Sequence, residues 1–130
     1  MGLSVGMHGE ASLVVSEAET AAALGAGGVH VFATPLMINL MENAAWRAVQ
    51  SALPEGDTTV GSLVNVRHLA ASPVGAHIVA TAELVEIDGR RLVFRVSARD
   101  DWRVIGEGIH ERGMVTLERF LARLPQIGAS

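Results

Sequence analysis

Three residues of this 130-residue chain have the types and spacing needed for chemistry at a carbonyl group: Thr34, Glu42 and His68. Thr34 precedes Pro35 at the predicted start of a long helix, and Glu42 lies about two turns further along that helix. His68 lies on a predicted strand, on the face that the helix should cover. One pocket could therefore hold a hydroxyl, a carboxylate and an imidazole beside a helix N-terminus, which is a combination suited to acyl transfer.

Each of these residues also has a purely structural interpretation, and the residue pattern alone leaves it open. A threonine directly before a proline and a helix is expected as an N-cap. Glu42 falls between Ile38 and Trp46, at the border of the apolar face, where a carboxylate commonly reaches water or pairs with an arginine. A histidine in a core is usually satisfied by one hydrogen bond, and His68 could be such a residue.

The composition excludes several classes of function. The ten basic residues are all arginines, fourteen residues are acidic, and the net charge of −4 gives no overall basic field for binding nucleic acid. Cysteine is absent, which excludes disulfides, thiolate nucleophiles and cysteine-type zinc sites. The five histidines show no paired spacing typical of metal ligands, and no nucleophile-elbow, P-loop, dinucleotide-binding or zinc-peptidase motif is present. We expect no metal and no cofactor.

Length and hydropathy predict a single domain over residues 1–130. Apolar residues make up 49% of the chain, which is enough for one hydrophobic core, and 130 residues are too few for two independent cores. No apolar run approaches the roughly 20 residues of a spanning helix, and the N-terminus lacks the apolar segment of a signal peptide. We therefore expect a cytoplasmic protein without a membrane partner.

The strongest structural signal is a helix over residues 35–50, uninterrupted by glycine until Pro54 follows. Asn39, Asn43, Arg47 and Gln50 share one narrow polar sector of this helix. The much wider apolar sector contains Leu40, Met41, Ala44, Ala45, Ala48 and Val49. Such a helix must be covered on most of its surface.

Strand periodicity predicts the elements around this helix. A strand over about residues 9–15 and a short helix over about 16–24 precede it, and four strands follow, beginning at about residues 60, 75, 91 and 104. Val60, Val64 and Val66 should share one face with His68. Asp88-Gly89 predicts a type I′ hairpin turn, and a last helix is expected over about residues 117–124.

This element order predicts an α+β fold in which an antiparallel β-sheet wraps a long central helix. It is similar to the order of the hotdog fold. The resemblance extends to short sequence blocks over nearly the whole chain, which resemble the fluoroacetyl-CoA thioesterase-like branch of the hotdog thioesterases. These blocks are Val31-Phe32-Ala33-Thr34, Leu40-Met41-Glu42, Val66-Arg67-His68-Leu69-Ala70-Ala71-Ser72-Pro73, Thr81-Ala82-Glu83-Leu84, Gly89-Arg90-Arg91-Leu92, Arg95-Val96-Ser97-Ala98 and His110-Glu111-Arg112.

The resemblance implies an enzyme that hydrolyses an acyl-CoA thioester to a free acid and CoA. It further implies a homodimer whose site lies between helix and sheet at the dimer interface, with CoA present only as part of the substrate. Thr34, Glu42 and His68 match the catalytic residues of this family, and Gly61 matches a glycine that lets the backbone approach the thioester. Whether Glu42 attacks the carbonyl or activates a water stays open.

Arginines should bind the phosphates of CoA, because the net charge of the whole chain is negative. The candidates are Arg112, Arg90 and Arg91, and the alternative for all three is a solvated strand face. Two alternatives to hydrolysis also stay open: a hotdog module that binds an acyl-CoA or small ligand without turnover, and a hydratase or dehydratase of the same fold.

The chain departs from the family pattern before Phe32. Members specialised for the fluorinated substrate are bulky and aromatic in this region, whereas this chain has Gly25, Ala26, Gly27 and Gly28. We therefore expect thioesterase chemistry without strong selectivity for a fluoroacetyl group.

Overall fold

The structure, a computed structural model, describes residues 2–128. Two helices and five strands make up this part of the chain. In chain order they are β1 (His8–Val14), α1 (Thr34–Val49), β2 (Asp57–His68), β3 (His77–Asp88), β4 (Arg91–Arg99), β5 (Val104–Thr116) and α2 (Leu117–Ala122). The strands form one antiparallel sheet in the order β1-β3-β4-β5-β2. The α+β prediction is confirmed.

The long helix α1 lies across one face of the sheet, as its wide apolar sector predicts. All six predicted apolar positions are buried, together with Met37, while Asn39, Asn43 and Arg47 are exposed. The helix lies very close to β1: a Cβ atom added at Gly9 would lie 2.6 Å from the backbone nitrogen of Ala48. Only a glycine permits this approach of helix to strand.

The central hairpin of β3 and β4 supplies most of the sheet side of the core. The side chains that alternate toward α1 are at most 1% exposed: Ile78, Ala80, Ala82 and Leu84 on β3, and Leu92, Phe94, Val96 and Ala98 on β4. Antiparallel pairing sets Ala80 opposite Ala98 and Ala82 opposite Val96. These strands were predicted correctly because period-two alternation fixes which face is buried.

The turn of this hairpin differs from the prediction by one residue. Asp88 pairs with Arg91, so the two loop residues are Gly89 and Arg90 rather than Asp88 and Gly89. Gly89 has a φ of 60°, and no non-glycine residue of the described chain has a positive φ. The type I′ prediction is therefore wrong, because that turn needs positive φ at both loop residues, and glycine at the first position is typical of type II′.

A bulge in β2 overturns a second detail. The register with β5 shifts between Gly61 and Leu63, so alternation is interrupted at Ser62. Val64 and His68 still face α1, as predicted, but Val60 lies on the opposite face because the extra residue reverses the side on which earlier residues project. The prediction that placed Val60 with Val64 is wrong for this reason.

The segment between β1 and α1 is less helical than predicted. Only Glu17–Glu19 forms a turn of 3-10 helix, in which the Glu19 carboxylate accepts a hydrogen bond from the backbone N–H of Ser16. Thr20 then pairs with Phe32 in an isolated bridge, and residues 24–30 form an exposed loop. No helix between residues 2 and 128 is both long and apolar enough to cross a membrane.

Candidate active site

Thr34 and His68 come together where α1 begins and β2 ends. The Oγ1 atom of Thr34 and the Nδ1 atom of His68 are 2.7 Å apart. The N-cap of α1 is Ala33, and neither Ala33 nor Thr34 makes a side-chain capping bond. The interpretation of Thr34 as an N-cap is therefore wrong, because its hydroxyl is engaged by the imidazole instead.

The imidazole of His68 keeps one nitrogen without a partner. Within residues 2–128 its Nε2 atom is buried and makes no hydrogen bond. Partial burial lowers the pKa of His68, and the backbone of Ala70 opposes this shift in part. The neutral form is therefore favoured, and a buried nitrogen without a partner is unusual unless a substrate or water occupies that position.

A cavity of about 430 Å³ adjoins this pair. Its lining joins the start of α1, the residues that follow β2 and the loop before Phe32. The lining residues are Ala21, Ala26, Val31, Phe32, Thr34, Pro35, His68, Leu69, Ala70 and Ala71. On the side of the loop, the lining side chains are those of Ala21 and Ala26, so no bulky side chain of residues 21–30 closes the cavity there.

The N-terminus of α1 offers one free backbone donor to this cavity. Pro35 has no N–H group, and the N–H groups of Leu36 and Met37 both donate to the carbonyl of Ala33. In the described chain no acceptor takes the N–H group of Thr34. This donor and the positive end of the helix dipole could stabilise a negative oxygen near the Thr34 hydroxyl.

Glu42 lies in a different cluster, with Gly61, His110 and Arg112. Its Oε2 atom is 3.6 Å from a terminal nitrogen of Arg112 and 3.9 Å from Nε2 of His110. The carboxylate side chain is 38% exposed, whereas Arg112 and His110 are buried. A Cβ atom at Gly61 would lie 2.5 Å from Oε2 of Glu42, so the absence of a side chain leaves space for the carboxylate.

Arg112 is fixed by several partners. Its Nε donates to the Thr59 hydroxyl at 2.8 Å, and a second terminal nitrogen donates to the Thr59 carbonyl at 2.9 Å. Burial lowers the pKa of Arg112, and the negative charge of Glu42 opposes that shift. Glu42 is thus an ion-paired carboxylate that remains accessible, rather than a residue extended into solvent.

One protomer does not bring Glu42 to Thr34 and His68. Thr34 and Glu42 are separated by about 12 Å of helix, and Glu42 is not among the residues that line the cavity. On β2, Gly61 beneath Glu42 and His68 are about 20 Å apart at the usual strand rise, because their partners Arg112 and Gly106 are six residues apart on β5. A single pocket holding all three residues, as expected from the sequence, is therefore not formed within one copy of the chain.

The three candidate arginines do not form one cluster. Arg112 is buried beneath Glu42, and Arg91 contacts the carboxylates of Glu86, Asp88 and Glu111. The guanidinium of Arg90 donates to the Met114 carbonyl at 3.2 Å. A cavity of about 330 Å³ is lined by Arg90, Met114, Val115, Thr116, Arg119, Phe120 and Arg123, with no carboxylate in the lining.

The sequence profile of a known family matches most of the chain. The profile describes a fluoroacetyl-CoA-specific thioesterase and matches residues 15–118. The chain belongs to the fluoroacetyl-CoA-specific thioesterase family. A fluoroacetyl-CoA thioesterase of Streptantibioticus cattleyicolor is 46% identical over 96 residues, which are 74% of this chain and 69% of that protein.

Solved structures agree with this membership. A variant of the fluoroacetyl-CoA-specific thioesterase FlK is 40% identical, with a TM-score of 0.87 over 95% of this chain and 96% of that one. For the fold alone, a hot-dog-like protein from Thermanaerovibrio acidaminovorans, 24% identical, has a TM-score of 0.83 over 92% of this chain and 88% of that one. The predicted hotdog fold and the predicted enzyme class, a thioesterase, are confirmed.

Sequence reasoning missed His110 and Thr59. In the sequence, His110 belongs to the block His110-Glu111-Arg112 but no pattern gives it a role, and no pattern singles out Thr59. Both contact Arg112, and those contacts depend on the register of β2 with β5 and on its bulge. Within residues 2–128, no three or more histidine, aspartate or glutamate side chains come together in a group that could hold a metal ion.

Proposed function

We propose that this protein hydrolyses an acyl-CoA thioester to a free acid and CoA, at sites shared by two copies of the chain. Each site would contain Thr34 and His68 of one copy and Glu42 with Gly61 and Arg112 of the other. The observation that carries the proposal is the Thr34–His68 hydrogen bond beside a cavity, with Nε2 of His68 left without a partner. Membership in a thioesterase family supports hydrolysis rather than binding alone or hydration.

The free edge of β2 supports the shared site. β2 is the last strand of the sheet, and residues 61–65 are exposed along it, including Leu63 and Val64 at 42% each. An unpaired edge with apolar side chains is a template for another strand. Antiparallel pairing of two β2 strands about an axis through Asn65 would set Gly61 opposite the partner's His68, because the bulged Ser62 has no partner of its own. Glu42 would then meet the partner's Thr34 and His68.

Glu42, Thr34 and His68 each have a separate role in the proposed hydrolysis. The Glu42 carboxylate either attacks the thioester carbonyl or takes a proton from a water that attacks it. The N–H of Thr34 and the helix dipole stabilise the negative oxygen that develops, and the Thr34 hydroxyl holds the imidazole in place. When water attacks, the proton passes from Glu42 to Nε2 of the neutral His68 and from there to the departing thiolate. When Glu42 attacks, water then hydrolyses the mixed anhydride, and the proton that this water releases reaches the thiolate through His68. No cofactor enters this scheme, since CoA belongs to the substrate.

The arginines take separate roles in this proposal. Arg112 holds Glu42 in position, with a terminal nitrogen 3.6 Å from its Oε2 atom. Arg90, with Arg119 and Arg123 around the same cavity, is our candidate to bind phosphates of CoA, since guanidinium groups pair well with phosphate oxygens. Arg91 is already neutralised by three carboxylates and is the weakest of the three candidates. A cytoplasmic location stays a prediction.

The test is release of CoA thiol from a panel of short, branched and aromatic acyl-CoA esters. We expect turnover of at least one ester and a loss of about 10²-fold or more in Glu42→Gln, which keeps the size of the side chain but removes its ionisable group. The exposed Glu55→Gln is the matched control and should retain the wild-type rate. Acyl-pantetheine esters, which lack the nucleotide phosphates, should show a higher KM than the CoA esters.

Two results would contradict this proposal. Tight binding of acyl-CoA without turnover of any ester would make the protein a binding module. Turnover by Glu42→Gln within a few-fold of the wild type would return Glu42 to a structural role at the edge of the helix.

A further inference from the structure

We infer that His110 is a positioning residue, which holds Arg112 against Glu42 and fixes the β2 bulge through the two nitrogens of one neutral imidazole. This inference rests on the proposed role of Glu42. His110 lies on β5, is 1% exposed, and faces α1 beneath Glu42. No step of the proposed reaction uses it.

The partners of His110 assign its tautomer. Its Nδ1 atom is 2.8 Å from the carbonyl oxygen of Leu63, which can only accept a hydrogen bond. Its Nε2 atom is 3.1 Å from a terminal nitrogen of Arg112, which can only donate. Both bonds form together only when Nδ1 carries the hydrogen and Nε2 carries none. The imidazole is therefore neutral in this arrangement.

The surroundings of His110 support the neutral form. Burial lowers the pKa of His110, and the positive charge of Arg112 lowers it further, while the Leu63 carbonyl and Glu42 act in the opposite direction. Arg112 and Glu42 are the charged groups that face the ring, and from β4 the nearest aromatic neighbour is Phe94, at 6.3 Å between ring centroids. A protonated ring would direct an N–H group at a guanidinium.

The two bonds connect the strand to the carboxylate. Leu63 is the residue at which the register of β2 resumes after the bulge, so the bond from Nδ1 holds the bulge in place. The same terminal nitrogen of Arg112 that contacts Nε2 lies 3.6 Å from Glu42. His110 thereby orients the cation that faces Glu42, and the bulge places Gly61 under the same carboxylate.

Two variants separate the functions of the two nitrogens. His110→Asn keeps a donor near the Nδ1 position but has nothing that reaches Arg112, whereas His110→Gln places an acceptor near the Nε2 position. We expect His110→Asn to unfold near the wild-type temperature and to lose about tenfold in kcat, the scale of one hydrogen bond to a charged group. Its KM should stay near the wild-type value, because His110 takes no part in binding the substrate in our proposal.

We expect His110→Gln to unfold at a lower temperature while keeping most of kcat per folded molecule. The exposed His8→Gln is the control and should change neither property. A wild-type kcat in His110→Asn would overturn the inference. If the wild type hydrolyses no ester, the proposed function fails instead.

Nitrogen-15 spectra of histidine-labelled protein give a readout that does not depend on activity. We expect the His110 ring to be neutral and protonated at Nδ1 near neutral pH. A ring protonated at Nε2, or a cationic ring near neutral pH, would overturn the inference even if the enzyme is active.

Discussion

Thr34 lies at the start of α1, where its hydroxyl could either cap the helix or take part in the reaction. A capping hydroxyl contributes about 1 kcal/mol to stability by accepting a backbone N–H. Here the residue that occupies the cap is Ala33, and the Thr34 oxygen lies 2.7 Å from His68. The stability of α1 therefore comes from its buried apolar face, and the hydroxyl is available to hold the imidazole.

We predict that Thr34→Ala lowers kcat by about tenfold or more, because one hydrogen bond to the imidazole is lost, while the unfolding temperature changes little. Thr34→Ser keeps the hydroxyl and should retain both properties. The measurements are thermal unfolding and turnover on the best ester, the latter well below the unfolding temperature. Equal rates for Thr34→Ala and the wild type would remove Thr34 from the site.

Among the elements, those with long regular periodicity were predictable and those with irregular backbone were not. α1, β4 and the part of β3 up to Leu84 each repeat one pattern, so their buried faces follow from spacing alone; after Leu84 the register of β3 with β4 shifts. The bulge at Ser62 leaves no such trace, since a single extra residue is set by pairing with β5. The contacts of His110 and Arg112 depend on that bulge and were missed for the same reason.

The loop over residues 24–30 is the element that should set acyl selectivity. It is exposed, Gly25 and Gly27 have positive φ values, and Ala26 is its member in the cavity lining. A pocket is narrowed by bulky side chains, and each methylene group it excludes gives only about 1 to 3 kcal/mol of discrimination. Leu24, Val29 and His30 of this loop lie outside the cavity lining, so no bulky side chain of the loop narrows the cavity.

We predict that the protein accepts acyl groups larger than acetyl and does not strongly prefer fluoroacetyl-CoA over acetyl-CoA. Competition between these two esters measures the ratio of their kcat/KM values directly. A preference for the fluorinated ester above about 10³-fold, or more than about 4 kcal/mol, would show that another part of the chain narrows the cavity. An Ala26→Phe variant should reduce turnover of the larger esters more than turnover of acetyl-CoA.

At the scale of the whole molecule, the sequence identified three candidate residues but could not show that one chain separates them. The spacing of Thr34 and Glu42 fixes a distance along α1, and strand alternation places His68 on the face toward α1. Neither pattern determines which end of β2 packs against which part of α1. That Glu42 lies over Gly61 and Thr34 beside His68 follows from the packing of α1 on the sheet. A second copy is therefore required in our proposal.

Mixing two inactive variants tests that requirement. Glu42→Gln and His68→Ala should each be inactive as homodimers, because every site then lacks one essential group. In a dimer of one copy of each, one site carries both substitutions and the other carries neither. Random exchange makes about half of the dimers mixed, so we predict recovery of about a quarter of the wild-type activity.

The mixture should be denatured and refolded together, and its rate compared with the two variants refolded separately. If each site lay within one copy, every site in the mixture would carry a substitution, and activity would stay at the level of the separate variants.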